Sequence, residues 1–282
     1  MKQIGYYNGT WGELDEMKIP MNDRVCFFGD GVYDATASRN YKIFALEEHL
    51  DRFYSSASLL RIEIGMEREE LKKLLCDLTE QMDTGDNFVY WQATRGTGPR
   101  GHAFLEDGKP ANLWVTIVPK VFCDVYEKIR LITVEDTRFL HCNIKTLNLI
   151  PSVMASQKAK EAGCFEAVFH RNGRVTECAH SNVHILKDGV FRTAPTDNLI
   201  LPGVARHHLI MACERLGIPV SEEPFSLEEL FDADEVLTSS ASTFCLAAYE
   251  IDGKPVGGKD PATLRRLQDE VVREFHEETR AD

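Results

Sequence analysis

No two of the eight cysteines (Cys26, Cys76, Cys123, Cys142, Cys164, Cys178, Cys213 and Cys245) stand in a CxxC pair, which excludes a zinc ribbon and a thioredoxin-like motif. Unpaired thiols fit a reducing cytosol. Nor does any apolar run reach the ~20 residues needed to span a bilayer, and the start, MKQIGYYNGTWGE, lacks the apolar core of a secretion signal. Secretion and membrane insertion are therefore disfavoured, and a cytoplasmic location is expected. Positive charge is also scarce. With 32 Lys and Arg against 45 Asp and Glu, the net charge is −13, whereas a chain that neutralises phosphate backbones carries a basic stripe; nucleic acid is not an expected partner. Internal repeats and low-complexity segments are absent as well. What remains is a composition of 43% hydrophobic and 27% charged residues, ordinary for a folded globular protein. At 282 residues, the chain exceeds the usual size of one compact domain, so two lobes are expected.

Turn signals recur at Asn8-Gly9, Asp107-Gly108, Asn172-Gly173, Asp188-Gly189 and Asp252-Gly253, pairs that tolerate positive φ and close hairpins. Asn8-Gly9-Thr10 also spells a glycosylation acceptor, but in a cytosolic chain it reads as a tight turn. Apolar residues near i, i+3, i+4 spacing predict helices over Leu46 to Leu60, Arg68 to Met82, Pro151 to Ala162, Val204 to Leu216 and Pro261 to Thr279, with Gly163 and Gly217 as C-terminal caps. The segments FVYWQATR, NLWVTIV, KIRLITVE, EAVFH, TECAHSNVHIL and EVLTSS predict strands. The class is α+β, hairpin-rich sheets with flanking helices. A proline-containing stretch without periodicity at 119–126 divides a small α/β lobe, 1–118, from a larger lobe, 127–282.

Two apparent motifs fail on mechanics. Gly96-Thr97-Gly98-Pro99-Arg100-Gly101 spells GxGxxG, but Pro99 removes an N–H, no amphipathic helix follows at His102 to Lys109, and the βαβ setting is missing. His180 and His184 stand four apart within the expected strand, where they would be separated by roughly 13 Å at ~3.3 Å per residue, too far to share one zinc. His207-His208 lies in a helix and points two ways. No metal site is expected.

Three residues suggest chemistry. Lys145 in CNIKTLNLI sits between apolar residues; a desolvated lysine loses ammonium stability, and its amine can then add to an aldehyde. Glu177, on the second arm of the Asn172-Gly173 hairpin, could face a pyridine nitrogen and keep it protonated. Arg52 in EEHLDRFYSSA offers a fork matched to phosphate oxygens. Taken singly, each reads as an ordinary surface lysine, strand glutamate or surface arginine.

The blocks DRVCFFGDGVYDA, EEHLDRFYSSA, YWQATRGTGPRGHAF, VEDTRFLHCNIKTLNLI, RNGRVTECAHSNV, NLILPGVARHHLI and VLTSSAS run in order through almost the whole chain. Together they closely resemble the fold-type IV pyridoxal-phosphate aminotransferases, and among them the bacterial D-amino-acid aminotransferases. The resemblance implies a two-lobed fold-type IV enzyme and pyridoxal 5'-phosphate as cofactor. Lys145 would carry the cofactor and move the proton, and Glu177 would hold the pyridine nitrogen. Arg52, the Val204 and Ala205 amides at a helix start, and Ser240 would bind the phosphate, while Leu201 would pack behind the ring. Tyr33, Arg100 and His102 would trap the substrate carboxylate, the last two reaching over from a partner subunit, so a homodimer is implied. Small amino acids and 2-oxo acids, D-alanine, D-glutamate and 2-oxoglutarate among them, would be the substrates.

Some positions depart from that pattern. Cys178-Ala179-His180-Ser181 stands where a serine run is common, Ala205 replaces a threonine and Ala241 another hydroxylic residue. One lost neutral hydrogen bond costs about 1 kcal/mol, so cofactor binding should survive while substrate preference shifts. The competing readings are a branched-chain L-amino-acid aminotransferase, against which Arg100 and His102 argue, an aminodeoxychorismate lyase, and a binding module that keeps the scaffold without turnover.

Overall fold

The computed structural model describes residues 2–105 and 110–281; the turn expected at Asp107-Gly108 lies outside them. The chain forms two compact units, one of Met1–Val121, Ile144–Asn148 and His276–Asp282, the other of Phe122–Asn143 and Leu149–Phe275.

In the first unit, Asn8 and Gly9, at φ 44° and 94°, close the hairpin of β1 (Ile4–Tyr7) and β2 (Thr10–Glu13). The short helix α1 (Arg24–Phe28) is capped by Asp23, which accepts Val25 N at 2.9 Å. There follow β3 (Gly31–Arg39), β4 (Lys42–Ile43), α2 (Leu46–Leu59), α3 (Arg68–Glu80), β5 (Asn87–Thr94) and β6 (Asn112–Pro119). The strands make an antiparallel sheet in the order β2-β1-β6-β5-β3-β4. Leu50 and Phe53 of α2 and Leu71 and Leu75 of α3 are buried in one cluster with Val89, Trp91, Val115 and Ile117 of the sheet. At about 1.5–3 kcal/mol for each large apolar side chain removed from water, this cluster, which takes in Val32, holds the helices on the sheet that contains β3, the strand that carries Tyr33.

The second unit runs β7 (Lys128–Glu135), α4 (Ile150–Glu161), β8 (Glu166–Arg171), β9 (Arg174–Cys178), β10 (Asn182–Lys187), β11 (Val190–Thr193), α5 (Val204–Leu216), β12 (Val220–Ser221), α6 (Leu227–Asp232), β13 (Glu235–Ser239), β14 (Leu246–Ile251), β15 (Lys254–Pro255) and α7 (Pro261–Glu278). Its sheet has the order β12-β11-β10-β13-β14-β7-β8-β9, with β15 paired to β14. It is mixed, because β7 runs parallel to both β14 and β8. The class is α+β. The chain turns at Asn172-Gly173, Asp188-Gly189 and Asp252-Gly253, and all six residues have positive φ.

One expected strand is divided. TECAHSNVHIL is not continuous, because the buried carboxylate of Glu166 accepts His180 N and Ser181 Oγ, both at 2.6 Å. That contact pulls Ala179–Ser181 into a turn and separates β9 from β10. His180 therefore sits in a turn, and only His184 lies on a strand.

Candidate active site

In the first unit, the five residues Ile144–Asn148 lie antiparallel to the start of β3. Tyr33 N donates to Lys145 O at 2.9 Å, Leu147 N to Gly31 O at 3.1 Å, and Val32 bridges Thr146. Lys145 N donates to Ser56 Oγ of α2 at 3.1 Å. The short ladder fixes the backbone of Lys145, and its Nζ lies 4.4 Å from the centroid of the Tyr33 ring. Tyr33 in turn stacks on Tyr90 at 5.4 Å, whose hydroxyl donates to Gln92 Oε1 at 2.6 Å. Gly31 has no room for a side chain, since a Cβ there would meet Ala93 O and Leu147 Cδ1 at 2.6 Å.

Arg52 is aimed by Asp34 of β3. Its Nε donates to Asp34 Oδ2 at 2.9 Å and its Nη2 to Oδ1 at 2.7 Å, while His49 Nδ1 approaches Oδ1 at 2.7 Å. Burial pushes the Asp34 carboxyl up, but the Arg52 guanidinium and the His49 imidazole outweigh it and hold the group well below the usual carboxylate range. Burial also lowers the His49 imidazole, partly offset by Asp34. This is the planar two-point pairing that arginine favours, and it orders a side chain that would otherwise roam. The sequence singles out Arg52 as a candidate but not its partners Asp34 and His49; the i, i+3 placement of His49 and Arg52 on one face of α2 is the available signal.

Arg100 and His102 belong to an exposed loop after β5. The Arg100 guanidinium lies 5.3 Å from the Phe28 ring and the His102 ring 5.1 Å from it. The structure thus gathers Tyr33 with Lys145, and Arg100 with His102 around Phe28, as two groups within the first unit.

In the second unit, Glu177 is buried on β9, where Oε2 accepts Asn182 Nδ2 and Leu201 N, each at 3.0 Å, and Oε1 pairs with Arg138 Nη1. Arg138 is held by Asp136 at 2.9 Å. Burial raises the Asp136 carboxyl, yet hydrogen bonds and charge from Arg138 bring it below its ordinary value. The acid is therefore fixed in direction by one cation and two neutral donors. Leu201 is half-buried, with its carbonyl accepting Asn182 Nδ2 at 3.1 Å. Helix α5 begins at Val204, with Ala205 next, after Gly203, and no side chain caps its first turn. A Cβ on Gly203 would fall 2.0 Å from Asn182 Oδ1, so only glycine lets this helix start lie against the residue that orients Glu177. Ser240 Oγ, in the turn after β13, lies 2.8 Å from Thr243 Oγ1 and 3.1 Å from Ser242 Oγ. Arg138 and Asn182 were not singled out from the sequence; Asp136-x-Arg138 gives no local sign that it serves a glutamate 39 residues on.

A family model described as amino-transferase class IV matches residues 31–251. A D-alanine aminotransferase of Staphylococcus haemolyticus is 38% identical over 267 residues, covering 94% of this chain and 95% of the relative. One of Bacillus licheniformis is 35% identical over 274 residues, covering 95% and 97%. Among solved structures, a branched-chain amino acid aminotransferase from Escherichia coli superposes with a TM-score of 0.90 at 22% identity, covering 100% of this chain and 97% of the other, a likeness of fold.

Proposed function

The chain belongs to the class IV amino-transferases, and from that membership we propose that it moves an amino group between a D-amino acid of the D-alanine or D-glutamate class and a 2-oxo acid such as 2-oxoglutarate. Pyridoxal 5'-phosphate is the proposed cofactor. One observation carries the chemistry: an amine, Lys145 Nζ, is held 4.4 Å from the ring of Tyr33 on a segment zipped to β3. The choice of D-substrate is supported by near full-length relatives named D-alanine aminotransferase at 35% and 38% identity.

Taken unit by unit and by chemical type, the candidate residues suit the parts of a phosphorylated pyridine. A helix start without a capping side chain offers the Val204 and Ala205 amides to an anion, and the hydroxyl of Ser240 and the guanidinium of Arg52 suit phosphate oxygens. Glu177, fixed by Arg138, Asn182 and the Leu201 amide, suits a protonated ring nitrogen, and Leu201 suits the ring face. When bound, the cofactor supplies an aldehyde for the amine and a ring that accepts electrons.

The rest is work for the chain's own groups. The Lys145 amine takes the proton from the substrate Cα and returns it on the other side of the transfer. Tyr33, Arg100 and His102 donate hydrogen bonds to the substrate carboxylate, and the carboxylate so held decides which face of Cα presents its hydrogen to Lys145. By the family resemblance, the working form is a homodimer in which Arg100 and His102, exposed in a single chain, serve the partner's site. A cytoplasmic location accompanies this reading.

The test is a coupled assay with separate panels of D- and L-amino acids and 2-oxoglutarate. Turnover with D-alanine or D-glutamate is expected, and borohydride reduction of the loaded protein should place the pyridoxyl label at Lys145 on peptide mapping. Activity confined to L-leucine, L-isoleucine and L-valine would overturn the stereochemical reading.

A further inference from the structure

Arg24 is the most enclosed cation near the loop that carries Arg100 and His102, with 3% of it exposed. Buried guanidinium groups are tolerated only when their donors are met. Arg24 meets them in an unusual place. Its Nε donates to Asp30 Oδ2 at 2.7 Å, and its two other nitrogens donate to three successive carbonyls of one exposed loop: Nη1 to Gly101 O at 2.7 Å and to Ala103 O at 3.1 Å, and Nη2 to His102 O at 3.4 Å. The loop has no strand or helix over Arg100–Leu105, so these bonds stand where a backbone ladder would otherwise hold it. The Arg24 guanidinium also lies 5.0 Å from the Phe28 ring, the ring that Arg100 and His102 approach from the loop side. Its base is rigid. Arg24 N donates to Gly96 O at 3.0 Å, and Asp30 is shared with Arg95 at 2.9 Å.

We propose that Arg24 is the positioning residue that sets the geometry of Arg100 and His102, and through them the selectivity for 2-amino and 2-oxo carboxylates; the inference rests on the carboxylate-binding role assigned above. The two side chains flank Gly101, whose carbonyl Arg24 grips, so the aim of both follows from one guanidinium. A lysine keeps the charge but presents a single ammonium that cannot reach Asp30 and the three carbonyls at once. Misplacement of a binding group by about 1 Å can cost up to ~10²-fold.

The test compares wild-type holoenzyme with Arg24→Lys and, as a milder change that leaves the Arg24 bonds in place, Phe28→Leu. For Arg24→Lys, KM for both D-alanine and 2-oxoglutarate should rise about tenfold, with kcat lowered less than about threefold, the signature of lost binding common to ground and transition states. Phe28→Leu should raise both KM values several-fold. The dissociation constant of propionate, a carboxylate with no amino group to react, should rise in parallel by calorimetry, while the cofactor absorbance band and thermal midpoint stay near wild type. Should Arg24→Lys fail to fold, Arg24→Gln, whose amide can donate to no more than two of the four acceptors, takes its place with the same rise in both KM values expected. Wild-type protein active on D-alanine, with KM and propionate affinity unchanged in the folded Arg24 variant, overturns the role of Arg24 and leaves the D-amino-acid reading standing. Wild-type protein inactive on every D-amino acid overturns that reading, and the assignment of Arg24 with it.

Discussion

Single side chains in this protein act through what holds them. His184 is fully buried on β10, bonded to Thr193 Oγ1 at 2.9 Å and to Oγ of Ser239, the neighbour of Ser240, at 2.8 Å. Burial, and secondarily the charge of Arg206, pull its imidazole down to about 3. The unfolded chain binds a proton near pH 6.5 while the folded chain does not, so the folded state loses ground as pH falls through that window. Full stability from this residue is present above about pH 6.5, and on the order of 3 kcal/mol is lost by pH 4.5 at 1.36 kcal/mol per unit. Urea midpoints at pH 7 and pH 4.5 for wild type and His184→Gln check this: the drop should be visibly smaller in the variant. Equal drops in both proteins would place the acid sensitivity elsewhere. The sequence places His184 on a strand, but not its complete enclosure. A histidine at a strand position reads the same whether it is solvated or enclosed, and only the pairing of β10 with β11 and β13 decides it.

Elements were far more legible than the contacts between them. Helix α5 spans Val204–Leu216, the range its apolar spacing predicts, and Gly217 caps it at φ 68°, because local periodicity and a left-handed cap are properties of a few consecutive residues. Strand β3 escaped notice because both its faces are covered; GVYDATASR shows no alternation, and its long partner β5 is distant in sequence. The turn at Ala179–Ser181 escaped because a carboxylate from β8 makes it, not a Gly or Pro. Long-range placement of that kind also governs the start of α5. Gly203 has φ −67°, which any residue adopts, so Gly203→Ala tests space alone. The added methyl, 2.0 Å from Asn182 Oδ1, must displace a buried amide that donates to Glu177, at about 1–3 kcal/mol for forced overpacking. A thermal midpoint lower by a few degrees and faster loss of the cofactor absorbance band are expected. An unchanged variant would mean that Asn182 yields without consequence and does not fix Glu177.

For the whole molecule, composition placed the chain among ordinary folded proteins, and the resemblance supplied the α+β fold-type IV class, but neither revealed that Ile144–Asn148 clusters with Met1–Val121. Five residues joining a ladder more than a hundred positions away leave no periodic trace. The assembly is where the proposed mechanism makes its sharpest demand. A carboxylate is bound strongly by an arginine and an imidazole only where water is excluded, yet Arg100 and His102 are exposed in the single chain. The proposed homodimer would meet this demand if the second copy covers them and uses them. Lys145→Ala abolishes the amine, and Arg100→Ala paired with His102→Ala removes two of the three donors of the carboxylate trap, so each variant should be nearly inactive alone. Co-expressed in equal amounts, they form mixed dimers as about half the population, and each mixed dimer holds one site with both an intact lysine and an intact trap. Activity should return to about a quarter of wild type, measured with D-alanine and 2-oxoglutarate on protein shown to be dimeric by sedimentation. If the trap instead serves the lysine of its own chain, no pairing restores a complete site and the mixture stays as inactive as its components.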